Sequence, residues 1–289
     1  MIESFKNFTP QIQAAIIAAT TALMTTILSF ITKSWIEKRV LINKLESEYK
    51  YDQQKDLKAL LAKNKMRLLN SAEALNHRLW NFMENYSEPW LSSRGNYYNS
   101  FVYRFITFFS YIRQIEKELI YIDSTFAGKE DLEFIKFLRT FPQLFCDVKL
   151  FQGEDYDKSL ATDHFFRNNF ENICDSFICQ NIIVDYSNFL EDVGRYEHEN
   201  KKLFDYFDSI GIDEPRYRFD LIKTFHLTLI AFLNTYGYDF QQTTLSQINE
   251  VIEIPRKSRL YKNYKDILVR NKLNNNIWIK KIINSKYFA

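Results

Sequence analysis

The chain has 289 residues, with 38 Lys+Arg against 36 Asp+Glu for a formal charge of +2, and Phe, Tyr and Trp make up 17% of it. Six glycines and five prolines amount to about 4%, against about 12% in ordinary soluble domains, so few turns are available and a sandwich, barrel or doubly wound sheet is argued against. At 46% hydrophobic and 26% charged, the composition fits neither a disordered tail nor a polytopic membrane protein, and the fold class expected is all-α.

The first element is the plainest. Asn7 to Thr32 carries no charge over 26 residues, and its most apolar part runs from Ala14 to Ile31. At 1.5 Å per helical residue, a stretch of this length crosses a hydrocarbon core of about 30 Å. It is longer than the h-region of a secretory signal, about 7 to 15 residues, and lacks a strongly basic n-region. The segment 11–32 is therefore expected to be a transmembrane helix, behind a short extracytoplasmic tail at 1–10. Lys33, Lys38, Arg39 and Lys44 follow it against Glu37 alone, which places the rest of the chain in the cytoplasm and the protein in the inner membrane as a single-pass protein. Three sparse cysteines, Cys146, Cys174 and Cys179, agree with a reducing compartment. Ala14, Ala18 and Ala22 repeat at every fourth position with Thr25 beside them, a small-residue face that lets membrane helices approach closely and predicts a homo-oligomer.

No Gly or Pro interrupts the 78 residues between Pro10 and Pro89. The region 33–88 is expected to be a helical stalk, polar from 43 to 56. It then carries a seam at Leu57, Leu61, Asn64, Leu68, Ala72, Leu75, Leu79, Phe82 and Tyr86, spaced by three and four. That seam suits either a coiled coil between chains or the first helix of a cytoplasmic bundle. Residues 89–255 are expected to form that helical domain. Asn96 to Asp123 reads as a strongly aromatic core helix and Lys129 to Phe141 as a helix stopped by Pro142. Thr162 to Asp192 reads as helix, with the β-branched Ile182, Ile183 and Val184 as a strand alternative. Asp213 and Pro215 are expected to start the helix Arg218 to Tyr236, and Thr244 the helix that ends near Ile254.

The last segment, 256–289, has ten basic residues and one acid, +9, which leaves residues 1–255 at −7. Arg256, Lys257, Arg259, Lys262, Lys265, Lys280 and Lys281 form its candidate basic patch. Apolar faces lie beside them at Tyr261, Tyr264, Ile267 and Leu268, and at Ile277, Trp278, Ile279, Ile282 and Ile283. Such a segment suits anionic lipid headgroups, nucleic acid phosphates, or packing on the acidic body as a final helix.

Chemistry is sparse. No phosphate-binding glycine loop, H-E-x-x-H or nucleophile elbow occurs. His164 with Cys174 and Cys179 makes an incomplete zinc set. Glu197-His198-Glu199, flanked by Arg195, Lys201 and Lys202, reads as a solvated face, and His226 lies in an apolar run that suits a core position. No catalytic, metal or cofactor site is expected. The segment from Tyr97 through Tyr98, Phe101, Tyr103, Arg104, Phe105, Phe108, Phe109 and Tyr111 to Asp123 resembles uncharacterised bacterial single-pass, membrane-anchored helical proteins found near phage-defence loci. The resemblance covers about a tenth of the chain and implies a setting in anti-phage defence. Three functions are open at this point: a non-enzymatic, self-associating effector or scaffold at the membrane with an unknown protein partner; a tethered receptor for nucleic acid or another acidic ligand; and a tethered enzyme without a recognisable motif.

Overall fold

The structure is a computed structural model that describes residues 9–92, 94–254 and 260–285. Its first helix, α1 (Pro10–Glu84), begins with proline just inside the start, where a missing N–H costs nothing, and the Thr9 carbonyl accepts from the amides of Ile12 and Gln13. By contacts the chain divides after Lys55. In the first unit, residues 10–55 of α1 are exposed almost throughout, apolar and polar alike.

The second unit starts at Asp56. Within it Leu57, Leu61, Asn64, Leu68, Ala72, Leu75, Leu79 and Phe82 of α1 are all buried, and Phe82 meets Phe101 at 5.7 Å and Phe219 at 5.8 Å between ring centroids. The seam thus packs on its own chain, which leaves no open apolar face over these residues for a coiled coil between chains.

A break around Pro89 leads to α2 (Asn96–Leu119), then α3 (Lys129–Cys146), α4 (Arg167–Ser176) and a hairpin of β1 (Ile178–Cys179) with β2 (Ile182–Ile183). The short helices α5 (Tyr186–Glu191), α6 (Val193–Glu199) and α7 (Lys201–Phe207) follow. Next come α8 (Arg218–Tyr236), α9 (Leu245–Glu253), α10 (Leu260–Arg270) and α11 (Ile277–Ile283). Nearly every residue of α8 is buried, because α3, α9, α10 and α11 pack around it. A helix buried on all sides belongs at the centre of a domain, and its polar side chains must find partners there. The aromatic richness is spent there: Phe105 touches Phe109 and Phe207 at 4.7 Å and Phe145 at 5.0 Å, and Phe225 touches Phe145 at 5.2 Å and Phe109 at 5.5 Å. Mixed tilted and edge-on rings in such a cluster each add about 0.5–1.5 kcal/mol beyond area burial.

Three expectations are corrected. Helix α3 runs through Pro142 to Cys146 rather than stopping at Phe141. An internal proline costs about 3 kcal/mol, and the burial of Phe137, Phe141, Leu144 and Phe145 on one face outweighs it. Thr162 to Asp192 is not one helix: Ile178 pairs with Ile183 and Cys179 with Ile182 across Gln180 (φ 50°) and Asn181 (φ 63°). Two consecutive left-handed residues make the hairpin turn whose twist matches its strands. Helix α8 has the expected bounds, Arg218 to Tyr236, but Asp213 and Pro215 lie ahead of it and do not make its start. The carboxylate that serves its start comes from Asp163, which accepts from the Tyr217 amide at 2.9 Å and from Arg216 Nε at 2.6 Å. Helix α9 begins as expected, with Thr244 and Gln247 in a reciprocal capping box.

Candidate functional site

The apolar part of α1 reaches a mean hydropathy of 2.0 over 18 residues, none of it buried, so it is long and apolar enough to cross a membrane. Ile17, Leu23, Met24, Leu28, Phe30 and Ile31 stand exposed. Ala14, Ala18, Ala22 and Thr25 are exposed too. The threonine hydroxyls turn inward. Thr20 donates to the Ile16 carbonyl at 2.8 Å, Thr21 to Ile17 at 2.7 Å, Thr25 to Thr21 at 2.9 Å and Thr26 to Ala22 at 2.7 Å. Each hydroxyl proton is used within its own helix, so these residues add little polarity to the surface the helix presents. At the end of the uncharged run Arg39 lies 5.1 Å over the Trp35 ring, and Lys33 pairs loosely with Glu37 at 3.9 Å.

The basic patch is only partly described: Arg256, Lys257 and Arg259 lie outside the described residues. Lys262 on α10 and Lys280 and Lys281 on α11 are exposed, and Lys265 is half-buried. None of the four forms an ion pair among the described residues, whereas Arg270 pairs with Asp147 at 2.7 Å. Lys281 Nζ stands 4.1 Å over the Trp278 ring. The apolar faces beside these lysines are consumed by the core: Tyr261, Tyr264, Ile267, Leu268, Ile279, Ile282 and Ile283 are buried. Ile277 departs from the expected face and is 69% exposed.

His226 is fully buried; its Nε2 donates to Asn76 Oδ1 at 3.0 Å, and burial pushes its pKa down to about 3, so it is neutral. His164 Nδ1 lies 2.7 Å from the Tyr156 hydroxyl, and burial lowers its pKa as well. Glu197 pairs with Arg94, which also reaches Asp205 and Asp208 at 3.2 Å, while His198 is exposed. Among the described residues no three His, Cys, Asp or Glu side chains gather as metal ligands, and Cys146, Cys174 and Cys179 are free thiols.

Two buried cations on α8 close the ends of neighbouring helices. Arg218 donates to the carbonyls of Tyr206 and Asp208 at the end of α7, with Glu214 as its counterion. Lys223 donates to the carbonyls of Ile252 and Ile254 at the end of α9. The last carbonyls of a helix have no partner of their own and carry the negative end of its dipole, so a cation there satisfies both.

One pair escapes sequence reasoning. Arg78 of α1 and Arg104 of α2 lie 26 positions apart in sequence, and both reach the hydroxyl of Ser100, at 3.0 Å from Nη2 and 3.3 Å from Nε. No local pattern announces them, because only the packing of α1 on α2 brings them together.

No protein-family model, curated protein or solved structure matches this chain.

Proposed function

We propose that this chain is a membrane-anchored, non-enzymatic helical protein that self-associates and acts as an effector or scaffold at the cytoplasmic membrane, in the anti-phage setting its resemblance implies. The observation that carries the reading is a contrast within one helix. From Leu57 onward α1 buries most of its large apolar side chains on its own chain, while from Ile12 to Ile31 it exposes every apolar side chain among charge-free neighbours. A contiguous exposed surface of that length has hydrocarbon as its natural solvent.

Orientation with the C-terminal domain in the cytoplasm follows from the lysines and arginine that trail the span. The Ala14, Ala18 and Ala22 face supports helix–helix association, since threonine hydroxyls beside it are internally bonded and only small side chains limit approach. The test is the mass of the detergent-solubilised full-length protein, corrected for bound detergent, beside the Ala18→Ile variant. An oligomer that Ala18→Ile dissociates supports the reading. A monomer in both leaves the helix as a tether and overturns self-association.

A second reading rests on the exposed Lys262, Lys280 and Lys281, which form no ion pair among the described residues, with Lys265 at their margin: a tethered receptor for nucleic acid or anionic lipid. Binding of single-stranded nucleic acid or anionic vesicles that weakens with salt, and falls in Lys280→Gln/Lys281→Gln, supports it; salt-insensitive or absent binding removes it.

A further inference from the structure

Two neighbouring clefts open along the same face of α1, between Asn70 and Glu84, and share Glu73, His77 and Asn81 as a common wall. The first, about 270 Å³, is cationic: Arg78 and Arg104 line it together with Asn70 and Asn81. Neither arginine has a carboxylate within ion-pair distance among the described residues, and each is held by a neutral group, the shared Ser100 hydroxyl. Arg78 is further fixed 4.8 Å over the Tyr97 ring. Burial and then the charge of Arg78 depress the pKa of Arg104, as expected where two like charges share one hydroxyl. The one acid of the wall is occupied elsewhere, since Glu73 accepts from Gln241 Nε2 at 2.7 Å and faces His77 at 3.8 Å.

Elsewhere in this domain partly buried arginines are given carboxylates: Arg113 has Glu171 and Asp175, Arg167 has Glu116 and Glu171, Arg216 has Asp163. Among the described residues Arg78 and Arg104 are the exception, converged on one hydroxyl with no carboxylate in ion-pair reach. That is the donor geometry that planar forks offer to phosphate oxygens. The second cleft, about 390 Å³, has different chemistry: the Trp80 and Phe240 rings, the carboxylates of Glu84 and Glu250, and Asn76, whose oxygen is already committed to His226, while the Gln241 amide is spent on Glu73 and Tyr238 and the Gln247 oxygen on Thr244. Aromatic rings stack on a heterocycle, and carboxylates accept from its ring and exocyclic N–H groups.

We propose that these joined clefts bind a nucleotide, its phosphate on Arg78 and Arg104 and its base in the cleft of Trp80 and Phe240. The site lies wholly within residues 56–289 and does not depend on how the apolar helix is used.

The experiment measures binding of ATP, inorganic phosphate and dioctanoyl phosphatidic acid to the full-length, detergent-solubilised protein at low salt. ATP is expected to bind more tightly than phosphate. Arg78→Gln and Arg104→Gln should each weaken it about tenfold or more, whereas Arg195→Gln, far from the clefts in sequence and engaged with Asp192 and the Tyr196 ring, leaves it unchanged. Phe240→Ala, at an exposed ring, should weaken ATP and leave phosphate alone. Should Arg78→Gln fail to fold, Arg78→Lys keeps the charge over Tyr97 but loses the fork, and is expected to weaken ATP as well. No ATP binding at millimolar concentration, or binding indifferent to both arginines, overturns the site. Phosphate binding as tightly as ATP with no effect of Phe240→Ala overturns the nucleotide, and tighter binding of phosphatidic acid assigns the arginines to a lipid headgroup instead.

Discussion

Nε2 of His226 donates to Oδ1 of Asn76 at 3.0 Å across 150 positions of sequence, with the Trp80 ring edge-on 5.1 Å away. The pair ties the central helix α8 to α1, and its buried imidazole has a pKa pushed down to about 3. In the unfolded chain a histidine titrates near 6.5. Above that value both states are neutral and the stability is fully present; as pH falls from about 6.5 toward 3, the unfolded chain gains a proton that the folded chain refuses. Stability is then lost by about 1.4 kcal/mol per pH unit, about 2 kcal/mol by pH 5. His226→Gln keeps a donor for Asn76 and removes the proton, so urea midpoints of the full-length protein between pH 7 and pH 5 should fall less steeply in the variant. An unchanged slope would contradict the burial of a neutral histidine here. His164, whose pKa burial also lowers, adds a slope of the same sign, while Glu116 and Glu214, whose pKa burial raises, act in the opposite direction.

Lys223 offers a second measurement. It is fully buried, holds the carbonyls of Ile252 and Ile254, and lies 5.2 Å from the Tyr261 ring centroid. Lys223→Met has similar length and volume but leaves those carbonyls without their donor, which should cost about 2–4 kcal/mol. The loss should appear as a lower urea midpoint with the m-value preserved. A change below about 0.5 kcal/mol would mean that water or another group serves the end of α9.

Patterns confined to a single turn or face were readable from the residues alone. The three-and-four spacing from Leu57 to Phe82 marks a buried helix face, and Thr244 with Gln247 three positions on marks a helix start. What escaped depends on residues distant in sequence. Asp163 caps α8 from 54 positions away. Pro142 sits inside a helix because rings from α2 and α8 reward the turn that follows it, as Phe145 does against Phe105 and Phe225. Arg78 and Arg104 meet only once α1 and α2 are packed, so neither the residue types nor their spacing signals the cleft. The apolar helix was legible for the opposite reason: its character is a property of uninterrupted composition.

The hairpin after α4 gives a local test. Gln180 and Asn181 both have positive φ, and Asn181 also accepts from Gln114 through its carbonyl. Asparagine tolerates the left-handed region and glutamine less so. Gln180→Gly should therefore raise stability by about 0.5–1 kcal/mol, and Gln180→Val should lower it by a similar amount or more. Thermal melts of the two variants should move in opposite directions; a Gly variant that melts lower would show that the turn is not left-handed at this position.

The membrane reading has a depth signature that a protein partner would not reproduce. If hydrocarbon covers the exposed face of α1, an arginine near the middle of the uncharged run costs about 2.5–3.5 kcal/mol on the insertion scale, and the cost falls toward the ends, where a long side chain reaches the headgroups. Leu23 and Ile27 are central, whereas Ile36 lies just beyond Trp35, beside Arg39. Leu23→Arg/Ile27→Arg should release the protein from membranes into a carbonate-washed supernatant, and Ile36→Arg should leave it in the pellet. All three positions are similarly exposed, at 65%, 51% and 54%, so a proteinaceous cover would treat them alike. Release by Ile36→Arg to the same extent as by the central pair would therefore argue for a protein cover and against a bilayer.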